Sequence, residues 1–170
     1  MATSHLKHNS DIDRTGNPDV KKGSALMALA GVAFVGYGAV FLIWNFAGGG
    51  FELGVDTIDG VTRGDLRAFE PAVLHYISHL HVATAAFIIS TGIAVAGLAW
   101  YGARKRLLWA WTTAVAAAVL GLAFALPMHW IDLFTHNWLI HLTPIYVAAV
   151  VFVAGALLSL RGFRQPGRPT

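Results

Sequence analysis

The chain has 170 residues, 56% of them hydrophobic and 12% charged, with a formal net charge of +3. The length suits one domain, but the composition is too apolar for a chain whose main solvent is water. Cysteine is absent, which excludes disulfides, thiolate metal ligands and thiol catalysis.

Residues 1–22 are polar and mix Asp11, Asp13 and Asp19 with Lys7, Arg14, Lys21 and Lys22 without apolar periodicity, so they read as a disordered cytoplasmic tail. His5 and His8, at i,i+3 spacing, read as solvated residues of that tail rather than as a metal pair. The apolar run that follows shows no small-x-small cleavage pattern before Gly48, so it is expected to stay as an anchor. Gly31, Gly36 and Gly38 give it a flat surface for close helix approach.

Charge is nearly absent from four runs, about 24–46, 71–101, 107–127 and 138–160. Each is near the roughly twenty residues that cross hydrocarbon. The runs are apolar on all sides, whereas barrel strands alternate in polarity, so the expected fold is all-α. It is a membrane four-helix bundle over 23–162 with a short cytoplasmic tail over 163–170.

The segment between the first two spans is long and acidic, with Glu52, Asp56, Asp59, Asp65 and Glu70 against Arg63 and Arg67. Thr62 and Asp65 stand at capping-box spacing and predict a short surface helix through Ala68. Glu70-Pro71 reads as the start of the second span. At roughly 46 Å that span overshoots the hydrocarbon, and the overshoot carries His75, His79 and His81. The span ends in the basic turn Arg104-Lys105-Arg106, flanked by Trp100, Tyr101, Trp109 and Trp111 as an interfacial belt. The third span is Ala-rich and is expected to be interrupted at Pro127. Thr143-Pro144 leaves the fourth with two forms: a helix kinked by an internal proline, or a short interfacial segment with His141 before a new helix starting at Pro144.

The N-terminal tail, the basic turn and the C-terminal tail hold ten of the twelve Lys and Arg residues. That bias predicts both termini in the cytoplasm and the long loop outside, in the cell membrane. The same bias explains the positive charge, so lipid and not nucleic acid is the expected partner, alongside a membrane-protein partner or a second copy of the chain.

Counting about twenty residues outward from the basic edges reaches His79 and His81 on the second span, His129 on the third and His141 on the fourth. Three helices therefore bring histidine to one outer level, with His75 and His136 just above. Tyr76-Ile-Ser-His79-Leu80 also resembles Trp138-Leu-Ile-His141-Leu142, as though the two hairpins were duplicates with His79 and His141 at equal depth.

Imidazole ligates haem iron and transition metals, so two readings stand. His79, His141, His129 and His75 are the candidate ligands of a haem b or, alternatively, of a transition-metal ion, with Asp132 and Glu70 as acceptors that orient an imidazole. The other reading makes the same residues amphipathic dressing of the boundary. No Asp, Glu, Lys or Arg falls within the four apolar cores, which argues against an ion-coupled carrier. Ser78 lies in no nucleophile-elbow pattern.

A long outer segment with Gly60-Val-Thr62, Asp65-Leu66 and Pro71, followed by a basic turn and Leu108-Trp109-Ala110-Trp111, resembles uncharacterised prokaryotic four-helix integral membrane proteins of a loosely DoxX-like kind. The resemblance implies a membrane bundle and no particular chemistry. The expected function is that of a non-enzymatic accessory or interaction subunit; the alternative is a haem- or metal-binding electron-transfer protein.

Overall fold

The computed structural model describes residues 16–131 and 136–165. In chain order it has α1 (Pro18–Ala47), the strands β1 (Thr57–Ile58) and β2 (Val61–Thr62), α2 (Arg63–Phe69) and α3 (Pro71–Gly97). A π-helical turn (Leu98–Gly102) and a 3-10 turn (Ala103–Lys105) lead to α4 (Leu108–Trp130), α5 (Trp138–His141) and α6 (Thr143–Arg164). Among the described residues four helices are long and apolar enough to cross a membrane: α1, α3 with its two turns, α4 and α6.

The centre of the bundle is α1, which packs along its length against α3 and α6. Small residues permit this. A Cβ on Gly155 of α6 would stand 2.7 Å from the Gly23 carbonyl oxygen, and one on Gly92 of α3 would stand 2.7 Å from that of Gly31. Without a strong hydrophobic drive between helices in lipid, such backbone approach is how dispersion contacts accumulate. Gly38 closes on Ile88 and Ile89 of α3, whereas Gly36 meets nothing within 4 Å and takes no part in packing. Between the helices lie Met27, Ala30, Val95, Ala99, Ala114, Phe152 and Ala156.

Several boundaries differ from the sequence expectation. Helix α1 starts at Pro18, inside the segment read as tail, because Asn17 caps it: its Oδ1 accepts from the Asp19 and Val20 amides at 2.8 and 3.4 Å. The Asn17 side-chain amide donates to the Gly162 carbonyl, tying the start of α1 to the end of α6. His5 and His8 lie outside the described residues. Helix α4 is not interrupted at Pro127 but runs on to Trp130. The proline stands three residues before the helix end, so it costs α4 the one hydrogen bond to the Ala123 carbonyl and leaves less than a turn to form beyond it. At Thr143-Pro144 the chain takes the broken form. Leu142 alone separates α5 from α6, since Pro144 has no amide to offer the Ile140 carbonyl.

Helix α4 is the least embedded span, with Ala110 and Ala114 as its buried residues, both near its first turns. There the Trp111 indole donates to the Ala156 carbonyl at 3.3 Å. At the far end the ties are polar: the Trp130 indole donates to the Tyr146 hydroxyl at 2.8 Å, and His129 meets His141.

Candidate functional site

The long α1–α3 segment is folded back onto the end of the bundle as a cap. Gly50 allows the chain to leave α1 sharply, because a Cβ there would stand 2.6 Å from the Val55 carbonyl oxygen. The guanidinium of Arg63 then donates to the carbonyls of Asn45 and Gly50 at 2.7 and 3.3 Å, stitching the start of α2 to the end of α1. Asn45 donates to Ser78 Oγ of α3 at 2.7 Å. The capping box forms as the spacing predicts, with Asp65 Oδ2 accepting from the Thr62 amide at 2.9 Å and the Thr62 hydroxyl donating to the same oxygen at 2.6 Å. These two hydrogen bonds hold the Asp65 carboxyl below its ordinary value.

From the other side, α5 plugs into the return of this loop. The Asn137 amide donates to the Gly54 carbonyl at 2.9 Å. His141 is 4% exposed, and its Nδ1 donates to the Leu53 carbonyl at 2.9 Å. His129, near the end of α4, donates from Nδ1 to the Ala125 carbonyl at 2.9 Å. The two Nε2 atoms face each other at 3.1 Å. His136 packs its ring 5.1 Å from that of His129 and 5.5 Å from that of His141, centroid to centroid.

Glu52 supplies the carboxylate. Its Oε2 lies 3.8 Å from His141 Nε2 and its Oε1 lies 3.3 Å from His81 Nε2, so it bridges α5 to α3. The His81 ring stands edge-on to Phe41 of α1, with centroids 5.4 Å apart. Burial pushes the His141 imidazole below its ordinary value, against the opposing pull of the Leu53 carbonyl and of Glu52.

The structure thus brings together two of the four expected ligands, His129 and His141, and leaves the other two aside. His75 and His79 are exposed on α3, and no contact among the described residues joins them to His129 or His141. The equal environments that a duplicated hairpin would give His79 and His141 are not formed. Glu70 is exposed at the α2–α3 junction and touches no histidine among the described residues, its expected role falling instead to Glu52. Asp132 lies outside the described residues. Glu52 escapes a reading based on depth, and depth reaches His81 without showing that it turns inward to Glu52. A signal for His81 did exist, since it shares a helical face with Leu74, Ala85, Gly92 and Val95, the buried stripe of α3.

An apolar cavity of about 240 Å³ opens between α1 and α6 beneath the cap, lined by Phe34, Tyr37, Val40, Leu53, Pro144 and Ile145 among others. It holds no histidine, so the chemistry-bearing groups sit beside it and not in it. Among the described residues no group of three or more His, Asp and Glu stands as a ready metal cage.

Among the described residues, four helices long and apolar enough to cross a membrane, with a polar, histidine-bearing cap at one end, are the build of a membrane protein. Comparison with protein-family models, with curated proteins and with solved structures gives no match. What the cap can do is read from its own geometry.

Proposed function

We propose that this chain is a non-enzymatic, multi-pass protein of the cell membrane that acts as an accessory subunit and presents its cap to a membrane-protein partner or to a second copy of itself. In this reading both termini and the Arg104–Arg106 turn are cytoplasmic, and the cap faces outward, as the Lys and Arg bias favours. The observation that carries it is the built form of the cap. A loop that only joined two spans would need neither the Arg63 stitch nor the Asn137 and His141 ties. Once held, the segment leaves Asp56, Asp59, Asp65 and Glu70 exposed, together with Phe69, which is 90% exposed. A large exposed aromatic on a segment that is held in place is a typical anchor for a partner.

Because the chain has no cysteine, a single introduced thiol reports its own side. Asp59→Cys should react with a membrane-impermeant reagent on intact cells, and Lys105→Cys only after permeabilisation; the reverse pattern sinks the orientation. In mild detergent the protein should run as a discrete complex that Phe69→Asp dissolves. A monomer indifferent to that change would sink the accessory reading.

A further inference from the structure

The contact between His129 and His141 poses a chemical problem. In both rings Nδ1 lies 2.9 Å from a backbone carbonyl oxygen, Ala125 for one and Leu53 for the other. A carbonyl only accepts, so both Nδ1 atoms carry the proton. In two neutral imidazoles with that tautomer, each Nε2 presents a lone pair, and these lone pairs face each other at 3.1 Å. Two lone pairs at that distance repel unless a cation lies between them. The cation is either one extra proton shared by the pair or a metal ion.

Three features favour the metal. Two nitrogens about 2.0–2.1 Å from one ion are about 2.9 Å apart at right angles and about 3.3–3.4 Å apart in a tetrahedron, and 3.1 Å falls between. Each ring is locked through Nδ1–H to a carbonyl, which is how ligating histidines are usually oriented and made more basic. Two further side chains of ligating type also lie near the pair, although they do not stand as a closed cage. Glu52 Oε2 is 3.8 Å from His141 Nε2, and the His136 ring centroid lies 5.1 Å from that of His129 and 5.5 Å from that of His141. His81 holds the opposite oxygen of Glu52 at 3.3 Å and so aims the carboxylate. A porphyrin does not suit this pair, because axial ligands lie on opposite faces of a macrocycle and these nitrogens meet directly.

We infer that His129 and His141 hold one divalent transition-metal ion, on which Glu52 and His136 close as it binds, and that this ion fastens the loose end of α4 to the cap. Imidazole with carboxylate and no thiolate suits zinc, copper, nickel or iron in their divalent states, and not the hard cations that prefer oxygen alone. The consequence is mechanical. Helix α4 buries Ala110 and Ala114 near its start, and its other end depends on side-chain ties. An ion joining α4, α5 and the α1–α3 segment supplies there the closure that packing does not. The inference does not depend on which side of the membrane the cap faces, nor on a partner.

The test uses the full chain in detergent, purified without a histidine tag, stripped with a chelator and titrated with zinc by calorimetry and with cobalt(II) by visible absorption. One equivalent should bind per chain, with the ligand-field bands of cobalt bound to nitrogen and oxygen. His129→Gln is the deciding variant, because the hydrogen bond its Nδ1 gives up is to the Ala125 carbonyl of its own helix. It should weaken zinc by about 100-fold or more, the upper end of what losing even an orienting group costs. The double change H75Q/H79Q and the tail change H5Q/H8Q should each leave binding intact. Absence of saturable binding, as for a pair sharing only a proton, overturns the inference, and so does undiminished zinc affinity in His129→Gln or equal loss in H75Q/H79Q.

Discussion

Gly31 and Gly92 stand back to back where α1 crosses α3: a Cβ on Gly31 would lie 2.8 Å from the Gly92 carbonyl oxygen and 2.7 Å from the Ala96 amide nitrogen. These are backbone atoms, so a side chain at either position must push the helices apart. Gly31→Ala should therefore destabilise the bundle by about 1–3 kcal/mol, the usual cost of overpacking. Gly36→Ala, with nothing within 4 Å, should be neutral or slightly stabilising through helix propensity. Thermal unfolding of both variants in one detergent checks the pair, and equal midpoints would contradict the crossing.

Arg63 holds two carbonyls from one side chain. Arg63→Ala leaves the Asn45 and Gly50 oxygens without that charged donor and should cost about 1.5–3 kcal/mol of local stability. Hydrogen exchange should rise across residues 48–62 while the middle of α6 stays protected. Uniform loss across the chain would mean that Arg63 supports the whole bundle and not the cap alone.

Asn17 joins a helix cap to an interhelical bond, from its oxygen to the amides of α1 and from its nitrogen to Gly162. Asn17→Ala should cost about 1–2 kcal/mol, more than Asn17→Asp, which keeps the cap oxygen. If the two variants unfold together, the cap adds nothing and the bond to α6 is what matters.

The Asp65 carboxyl titrates below its ordinary value of 3.8 because it accepts from Thr62. A carboxylate with a depressed folded-state value favours the fold fully above its unfolded value. The contribution is then lost as the pH falls through the lower folded value. The amides of α2 should thus keep their protection at pH 5 and lose it below about pH 4. Asp65→Asn should remove that acid step, and an unchanged step in the variant would assign it to another carboxyl.

Sequence alone determined a good deal here. The four apolar spans follow from composition, and the Thr62–Asp65 box follows from local spacing. The histidine level of His129 and His141 follows from depth, which runs at 1.5 Å per residue from the basic helix ends. Direction was a different matter. In a soluble protein the polar face of a helix shows which side looks inward, but lipid is as apolar as a bundle core, so the spans carry no such mark. That is why His75 and His79, conspicuous at i,i+4, stand outside, while His81 on another face of the same helix turns in toward Glu52. Glu52 itself reaches the site only because the α1–α3 segment doubles back at Gly50 and is stitched down by Arg63, contacts that no local pattern encodes. Depth is a property of one helix; convergence depends on the rotation of α3, α4 and α5 about their axes, and only tertiary packing sets that.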